Sequence, residues 1–599
     1  MCEELIFIGS FSMIKKGDNM IKIDNLSYSF PQKDLYNKIS FTLEEGQHCA
    51  FIGINGIGKT TLIDIIMDPE KYIFDGNLEI STGLRIGYVS QFYDIDLTKE
   101  LTVFEYIGGE TIKLQKELEL ICTEMETSSE IEPLLEKYQE TSDALDALGG
   151  NDFETEINKK LNLANLMKHK NLMLSELSGG EFKLIQVIKE MLNAPDLMIM
   201  DEPDVFLDFE NLNSLKNLIN SHKGTLLVIT HNRYLLNHCF NKIIHLENIE
   251  LQEFDGRYID YNFSLLQNKI ELQELAHADT EEIKRNEILI EKLRFNAALN
   301  AEASIGQHVN SRVKIQERLK ARRIKAPFVY IKQPNIILNT DKNIEEDKIA
   351  LELKNYSISF DDVLLENVNF GIKSRDKVVL IGPNGSGKTT LLKEIFKNNN
   401  DSIKFDKDIE VAYFSQLQGE MLNESNTVMN EFLDSGFETI EGIKSCILDH
   451  GLDEGILNQK IGSLSGGEKN ILQLAKMSSS NANMLLLDEP TSHLDTYSQI
   501  ALEKAIENYN GAILMISHDF YSVVNSMDYV LIIEDKSIRK MTMKKFKRMI
   551  YANHFDKDYL EIEEKKKSVE TKIELALQDN DFNLAKVLSE ELEEIIKLI

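Results

Sequence analysis

The chain has 599 residues, 42% hydrophobic and 28% charged, a composition typical of a globular protein with several domains rather than of a disordered or fibrous one. No apolar run reaches the ~20 residues of a membrane-spanning helix. Its five cysteines form no CxxC pair, which excludes a cysteine-built zinc or iron–sulfur site and favours a reducing, cytoplasmic environment. The formal net charge of -33 excludes indiscriminate binding to nucleic acid, so any phosphate contact must come from a local basic patch.

The first predicted domain begins with a strand at Met20 and extends over 20–259, and we expect residues 1–19 to be an N-terminal extension. A GxxxxGK[ST] pattern follows a second strand and opens a helix. In such a loop, glycines let backbone N–H groups approach phosphates, and Lys59 reaches the β- and γ-phosphates while the Thr60 hydroxyl binds Mg²⁺. The predicted nucleotide-binding residues of this loop are Gly53, Asn55, Gly56, Gly58, Lys59, Thr60 and Thr61.

Further along this domain lie an LSGGE motif and an apolar strand that ends in Asp201-Glu202. A carboxylate at a strand end beside a P-loop is suited to a metal ion, so we predict that Asp201 binds Mg²⁺ and that Glu202 acts on the attacking water. A solvated strand end is the alternative, and we favour catalysis because the whole pattern recurs.

All of these features occur a second time. The loop GINGIGKTT is answered by GPNGSGKTT, and LSGGE by a second LSGGE. Ser178 precedes Asp201 by 23 positions, and Ser465 precedes Asp488 by the same number. The repeat predicts two homologous domains, the second over 346–549. Its predicted nucleotide-binding and catalytic residues are Gly382, Asn384, Gly385, Gly387, Lys388, Thr389, Thr390, Asp488 and Glu489.

The first copy is longer between the strand that ends near Gln91 and the LSGGE motif. The separation from Gln91 to Ser178 is 87 positions, against 49 from Gln416 to Ser465. We therefore predict an inserted arm over about 98–150, built of amphipathic helices at 110–127 and 129–147.

Between the copies, 260–345 is predicted to be a helical linker, with an antiparallel helix pair and a tip near 288–304. From 292 to 325 it carries nine Lys or Arg against two Glu, so a phosphate-contacting surface is favoured over a solvated face. A second basic run occupies 536–548. The linker residues predicted to contact RNA are Arg294, Phe295, Arg312, Arg318, Lys320, Arg322 and Arg323.

Phe295 lies near the predicted tip, where it either seals the helix turn or stacks on an RNA base. The tail, 550–599, is predicted to form two helices with a turn at 578–581. Residues 556–599 carry seven basic and thirteen acidic residues, so we expect packing against protein rather than RNA.

With LSGGE beside each P-loop, the chain resembles the ATP-binding cassette (ABC) family over roughly two thirds of its length. The resemblance implies an α/β fold with two P-loop ABC ATPase domains and an ATP sandwiched between the P-loop of one and the signature of the other. Lys59 would then face Ser465, Gly466 and Gly467, and Lys388 would face Ser178, Gly179 and Gly180. Gln91 and Gln416 become metal- and water-sensing residues, His231 and His518 act on the γ-phosphate, and Phe30 and Phe360 either stack on adenine or belong to the core.

Tandem cassettes with an arm and a helical linker resemble the ABC-F subfamily. This implies a monomeric cytoplasmic ATPase, not membrane-bound, with an intramolecular cassette pair that uses ATP and Mg²⁺. Its partners would be the ribosomal RNA and the P-site transfer RNA, with the linker directed toward the peptidyl-transferase centre. We favour protection of the ribosome from antibiotics over a housekeeping translation role. An exporter ATPase subunit is a weaker alternative, because it explains neither the arm nor the basic linker.

One departure from the family pattern bears on the two ATP sites. The second copy reads DEPTSHLD, whereas the first reads DEPDVFLD, with Asp204, Val205 and Phe206 in place of the usual residues. Because this loop crosses to the opposite site in the family, we predict that the two composite sites are inequivalent.

Overall fold

The computed structural model describes residues 10–14, 19–30, 33–91, 100–127, 131–147, 152–205, 207–299, 311–317, 335–340, 348–359, 363–554 and 559–598. The chain divides into two compact units. The first contains residues 1–257 and 334–546, and the second contains residues 258–333 and 547–599. Both P-loop repeats, called cassette one and cassette two below, belong to the first unit. The predicted α/β class with two P-loop domains is confirmed.

Cassette one is built on a sheet of order β10-β9-β4-β8-β7-β6 and a second sheet of order β1-β5-β2-β3. The central strands pair in parallel and are buried along their length, which explains their nearly continuous apolar sequences. The strands are β1 (Ser10–Ile14), β2 (Asn19–Phe30), β3 (Lys33–Glu44), β4 (His48–Gly53), β5 (Asp75–Ser81), β6 (Ile86–Val89), β7 (Leu197–Asp201), β8 (Thr225–Ile229), β9 (Lys242–Glu247) and β10 (Glu250–Asp255). The helices are α1 (Lys59–Met67), α2 (Val103–Thr127), α3 (Glu132–Ala147), α4 (Phe153–Leu163), α5 (Gly179–Leu192), α6 (Phe209–Ser221) and α7 (Arg233–Cys239).

Cassette two repeats this plan with sheets of order β15-β16-β17-β13-β18-β19 and β12-β11-β14. Its strands are β11 (Ile349–Ser359), β12 (Val363–Lys373), β13 (Lys377–Ile381), β14 (Ile403–Phe405), β15 (Val411–Phe414), β16 (Met484–Asp488), β17 (Ala512–Ile516), β18 (Tyr529–Glu534) and β19 (Ser537–Thr542). Its helices are numbered after α8 (Tyr258–Leu299), which belongs to the second unit. They are α9 (Lys388–Lys397), α10 (Val428–Asp434), α11 (Ile440–Asp449), α12 (Gly466–Ser478), α13 (Thr496–Asn508) and α14 (Phe520–Ser526).

Two features of cassette one extend what the sequence predicted. Residues 10–14, placed in the predicted N-terminal extension, form β1 and pair in parallel with β5. The predicted arm helices are α2 and α3; α2 begins at Val103, before the predicted start at 110, and Gly109 interrupts it with a φ of 45°. The turn before Gly109 packs into the cassette, so its residues are apolar on more than one side. The amphipathic pattern of the arm helix therefore begins only after Gly109.

The second unit contains α8 (Tyr258–Leu299), a helical segment at 311–317, and the tail helices α16 (Tyr559–Gln578) and α17 (Phe582–Ile596). Helix α15 (Met543–His554) spans the boundary between the units. Asn286 Nδ2 of α8 donates a hydrogen bond of 3.1 Å to the Arg312 carbonyl, which brings 311–317 against α8 as expected of a helix pair. Arg312 is exposed.

The tail helices pack on the first turns of α8. Ile259 and Ile270 share one apolar cluster with buried residues of both tail helices, and Lys586 Nζ lies 2.6 Å from Glu274 Oε2. This agrees with the expectation that the acidic tail contacts protein. Arg318, Lys320, Arg322 and Arg323 lie outside the described residues, and Arg294 and Phe295 lie in α8 with side chains outside the description.

Candidate nucleotide-binding sites

Each P-loop joins a central strand to a helix and wraps around a buried lysine. Lys59 Nζ donates hydrogen bonds to the carbonyls of Gly53 at 2.8 Å and Ile54 at 3.1 Å. Lys388 Nζ makes the corresponding bonds to Gly382 at 2.8 Å and Pro383 at 2.9 Å. Burial lowers the pKa of both lysines, and nearby carboxylates oppose that shift. Each ammonium group is therefore held in the loop, where a phosphate would be the stronger partner.

The last glycine of each loop has a backbone conformation that other residues rarely adopt. Gly58 has a φ of 106°, and a Cβ there would lie 2.9 Å from the Tyr36 hydroxyl. Gly387 has a φ of 90°. Glycine is needed here because the turn must place the next N–H groups at the start of a helix, aimed into the loop. Thr61 and Thr390 occupy that first turn.

A hydroxyl and a carboxylate meet at the foot of each loop. Thr60 Oγ1 donates to Asp201 Oδ2 at 2.9 Å, and Thr389 Oγ1 donates to Asp488 Oδ1 at 3.1 Å. Burial, aided by the charge of Glu202, raises the pKa of Asp201 to about 6, and burial also raises the pKa of Asp488. A cation at either pair would stabilise the ionised carboxylate.

These oxygen donors fit Mg²⁺, which binds through one or two protein oxygens with phosphate and water completing its shell. Within the described ranges, no group of three or more His, Cys, Asp or Glu side chains is arranged to hold a metal ion on its own. A metal ion at either site would therefore be held partly by the nucleotide phosphates.

The glutamate after each of these aspartates has a left-handed backbone. Glu202 has a φ of 45° and Glu489 a φ of 50°. Their N–H groups donate to the carbonyls of Ile229 at 2.9 Å and Ile516 at 3.0 Å, which holds each turn in place. Non-glycine residues in this conformation are strained by roughly 1–3 kcal/mol and cluster at functional sites. Both glutamates also line the cavity between the cassettes that is described below.

The surroundings of Glu202 favour its charged form. Gln91 Nε2 donates to Glu202 Oε2 at 2.6 Å, and His493 Nδ1 of cassette two lies 3.7 Å from the same oxygen. Burial by itself would raise the pKa of Glu202, but the nearby His493 ring and the charge of Lys59 lower it to about 2. A histidine of cassette two thus contacts the candidate catalytic glutamate of cassette one.

The surroundings of Glu489 favour its neutral form. Its Oε2 accepts a hydrogen bond of 3.2 Å from the His518 backbone N–H, and its Oε1 lies 3.5 Å from His518 Nε2. Burial, together with the charge of Asp488, raises the pKa of Glu489 to about 7. Burial also lowers the pKa of His518 to about 3 and of His231 to about 4, so both rings are neutral near pH 7.

The LSGGE motifs form the N-terminal turns of α5 and α12. Ser178 Oγ accepts from the Glu181 N–H at 3.3 Å, and Ser465 Oγ accepts from the Glu468 N–H at 3.3 Å. In each motif the glutamate side chain returns to the serine N–H and closes a capping box. The following glycine N–H groups thus belong to a well-formed helix N-terminus, which attracts anions.

Each P-loop faces the signature of the other cassette. Asn55 Nδ2 donates to the His493 carbonyl, and a Cβ on Gly56 would lie 3.9 Å from Ser465 Oγ. A cavity of about 600 Å³ is lined by Ser178, Gly179 and Gly180 of cassette one and by Asn384, Gly385, Gly387, Lys388, Thr389, Thr390 and Gln416 of cassette two. We call the pairing of Lys59 with Ser465 site one and that of Lys388 with Ser178 site two.

The cavity also reaches the catalytic candidates. Glu202, His231, Glu489 and His518 all line it. Phe30, the predicted adenine-stacking residue of cassette one, is 47% exposed with its ring 5.4 Å from that of Tyr28, so the position is open to a base. Phe360 lies outside the described residues.

Three residues at these sites escaped the sequence analysis. Lys183, 1% exposed, donates to the backbone carbonyls of Ser90 and Gln91 and so holds the Gln91 loop. A lysine on the otherwise apolar face of α5 is a visible signal for it. Arg233 and His493 contact the other cassette. The family pattern indicates that the loop containing His493 crosses over, whereas nothing local in the sequence identifies the partners of Arg233.

Comparison with known proteins gives a consistent result. Residues 36–205 and 365–492 match the ABC transporter family. The chain is 27% identical over 550 residues to "ABC transporter F family member 2" of Arabidopsis thaliana, which covers 86% of this chain and 75% of that protein. It is 27% identical over 532 residues to "Energy-dependent translational throttle protein EttA" of Escherichia coli (strain K12), with 84% and 90% covered. The solved structure of an "RNase-L Inhibitor" shares the fold at a TM-score of 0.52 and 17% identity, over 89% of this chain and 93% of that one.

Proposed function

Since the chain belongs to the ABC-F family of tandem-cassette ATPases, we propose that it is a translation factor that binds the ribosome while ATP holds its two cassettes together. The chain binds and hydrolyses ATP through its ABC domains. The observation that carries the proposal is the presence of both composite sites within one chain, so that nucleotide binding closes the protein on itself. A relative of similar length named as a translational throttle supports the link to translation.

We assign the chemistry at each site as follows. Lys59 and Lys388 exchange their loop carbonyls for the β- and γ-phosphates, and the opposing signature helix completes the pocket for the γ-phosphate. Thr60 with Asp201, and Thr389 with Asp488, would hold Mg²⁺, which neutralises phosphate charge when bound. Glu202 and Glu489 accept the proton of the attacking water, while Gln91 and Gln416 orient that water. The neutral His231 and His518 donate to the γ-phosphate.

A basic surface in cassette two supports binding to ribosomal RNA. Lys544 and Lys545 are exposed on α15, beside an edge strand that carries Arg539 and Lys540, and no acidic residue interrupts 536–548. The equivalent edge strand of cassette one, β10, reads ELQEFD. In a chain of net charge -33, this contrast favours a phosphate-contacting surface over a solvated edge.

Two finer proposals concern the outcome of binding. We propose that the basic linker is inserted toward the P-site transfer RNA and the peptidyl-transferase centre, and that this protects the ribosome from antibiotics. The name of the Escherichia coli relative favours a second candidate, regulation of translation without a drug. An exporter ATPase subunit is less well supported, because it explains neither the arm nor the basic linker. Among the described residues, none of the helices has the length and apolar character of a membrane span.

Sedimentation tests ribosome binding directly. The variant Glu202→Gln/Glu489→Gln should keep ATP bound and should co-sediment with ribosomes, not with membrane vesicles, in an ATP-dependent manner. Association with vesicles instead of ribosomes would overturn the translation proposal.

A charge-reversal pair tests the basic surface. Lys544→Glu/Lys545→Glu should weaken ribosome binding and reduce the slope of log K against log salt by about one unit per lost phosphate contact. The matched control Lys404→Glu/Lys407→Glu changes the same charge on exposed residues elsewhere in cassette two. Equal effects of both pairs would assign the loss to overall charge.

The linker and drug proposals have their own test. Reversal of Arg318, Lys320, Arg322 and Arg323 to Glu should weaken ribosome binding while the ATPase rate of the isolated protein is kept. Phe295→Ala should abolish drug tolerance in a susceptible host at unchanged melting temperature. A lower melting temperature with no selective loss would instead assign Phe295 to sealing the helix turn. If wild type gives no tolerance but changes peptide synthesis, the regulatory function is supported.

A further inference from the structure

A buried arginine of cassette one reaches into cassette two beside the predicted switch histidine of site two. Arg233 opens α7 two positions after His231, and its side chain is 11% exposed. Its Nη2 contacts Glu503 Oε1 and lies 3.0 Å from Asp519 Oδ2. The guanidinium also sits over the Tyr521 ring, 4.9 Å from its centroid.

The two carboxylates depend on this arginine. Ser522 Oγ lies 3.0 Å from Glu503 Oε1 and 2.7 Å from Asp519 Oδ2, so the acids share one hydroxyl inside cassette two. Burial by itself would lower the pKa of Arg233, but Asp519 and Glu503 raise it above its usual value. Without Arg233, two largely buried like charges would face each other across a single hydroxyl group.

Asp519 connects this contact to the chemistry of site two. It directly follows His518, whose backbone N–H donates to Glu489 and whose ring lies beside the same carboxylate. Asp519 also caps α14, accepting from the Tyr521 N–H at 3.1 Å. Cassette one makes a second contact here, because the Phe209 ring lies edge-on to His518 with centroids 5.9 Å apart.

The residues that form this ion pair have no equivalent at site one. The two cassettes can be aligned on His231 and His518. In that alignment Asp519 corresponds to Asn232, Arg233 corresponds to Phe520, and Glu503 corresponds to Lys216. Phe520 carries no charge, and Lys216 and Asn232 offer no carboxylate. An ion pair therefore links cassette one to Asp519, next to His518 of cassette two, and the aligned residues cannot form the same ion pair at site one.

We infer that Arg233 is a positioning residue for His518: when the cassettes close, its ion pair with Asp519 and Glu503 sets the His518–Glu489 geometry and makes hydrolysis at site two depend on closure. Arg233 itself does not touch nucleotide. The inference rests on ATP hydrolysis and not on ribosome binding, so it is tested on the isolated full-length protein.

The first measurement follows the histidine rings directly. In protein labelled at histidine ¹³Cε1 and closed with a non-hydrolysable ATP analogue and Mg²⁺, the His518 and His231 signals are assigned with His518→Gln and His231→Gln. Arg233→Met should shift or broaden the His518 signal and leave that of His231 in place. Lys216→Met is the matched control, since it removes another cation beside α7, 5.3 Å from the Tyr234 ring, without touching Asp519. It should move neither signal.

The second measurement is steady-state hydrolysis. In a Glu202→Gln background, where only site two turns over, Arg233→Met should lower kcat by about ten- to a hundredfold, as expected for a misplaced catalytic group, with KM for ATP nearly unchanged. Arg233→Lys should recover part of kcat, because a single nitrogen makes both carboxylate contacts. An unmoved His518 signal together with wild-type kcat would overturn the inference.

A third variant separates positioning from stability. Arg233→Met/Glu503→Gln removes one of the two facing charges and should recover the melting temperature. If kcat stays low and the His518 signal stays shifted, the positioning role is supported. If kcat returns with the melting temperature, or if the signals of His231 and His518 move together in Arg233→Met, Arg233 is only structural and the inference is wrong.

Discussion

Sites one and two are built from the same motifs at the same spacing, yet their candidate catalytic glutamates differ in pKa. The pKa of Glu202 is lowered to about 2, whereas that of Glu489 is raised to about 7. One source of the difference is the charge of Asp488 beside Glu489, and another is the loop that crosses from the other cassette. At site one this loop supplies His493, beside Glu202, and at site two the equivalent position is Phe206, which has no hydrogen-bonding group. A glutamate that is identical by motif can thus have its charge set by a residue of the opposite repeat.

The largest effect is expected from removal of the two carboxylates. Glu202→Gln/Glu489→Gln should lower ATP hydrolysis by at least about a hundredfold, because the proton acceptor is lost while the loops and lysines remain. Radiolabelled ATP should still bind. The single variants sharpen the comparison, since each leaves one site able to turn over. Wild-type hydrolysis by the double variant would exclude both glutamates from catalysis.

The signature of site one can be broken at a single glycine. A Cβ on Gly467 would lie 2.8 Å from the His493 carbonyl and would also be too close to Asn55 Nδ2. Gly467→Ala should therefore prevent tight closure and lower hydrolysis at site one by about tenfold or more.

Gly466→Ala is the matched control for that change. Its Cβ would meet the His493 ring at 3.4 Å, which is ordinary van der Waals contact. Rates in a Glu489→Gln background and melting temperatures should be measured for both. Equal losses for the two alanines would contradict the steric explanation.

The pH dependence should separate the two sites more finely. A glutamate accepts a proton only when ionised, so lowering the pH from about 8 to about 6 should reduce hydrolysis at site two and not at site one. This follows because the pKa of Glu489 is about 7 and that of Glu202 about 2. pH–rate profiles in the Glu202→Gln and Glu489→Gln backgrounds measure each site by itself.

Substitution of His493 should make site one behave like site two. His493→Phe removes the polar contact that opposes the effect of burial, so the pKa of Glu202 should rise and the rate should fall at acid pH. His493→Gln keeps a donor and should leave the profile flat. A flat profile in His493→Phe would show that the loop of cassette two does not control Glu202.

The smallest effect concerns a second difference between the cassettes. Lys183 is buried in cassette one, where burial lowers its pKa to about 8, and the nearby Asp204 has its pKa raised by burial to about 6. Cassette two has Asn470 and Thr491 at these positions. Lys183→Asn and Asp204→Thr should each destabilise the protein, and the double variant should lose less than their sum by about 0.5–3 kcal/mol. Additive changes in the free energy of unfolding would show that the two charges are not coupled.

Contiguous motifs were predictable because their chemistry is local. The turn from Gly53 to Thr60 needs glycines and a lysine at set positions, and the following helix supplies its own N-terminus, so the sequence alone indicates a phosphate site. The same holds for the capped LSGGE helices and for Asp201-Glu202 at the end of a buried strand. The pairing of each P-loop with the opposite signature came from resemblance to the ABC family rather than from residue patterns.

The two cassettes, the nucleotide motifs, the arm and the basic runs were predictable from the sequence, since each depends on residues near one another in the chain. The tertiary structure was needed to show that Arg233 contacts Glu503 and Asp519, 270 and 286 positions away. It also placed β1 beside β5, packed the tail on α8, and separated the pKa values of Glu202 and Glu489. Desolvation and cross-cassette contacts depend on which surfaces meet after folding, and that information is spread over the whole chain rather than held in any one segment of it.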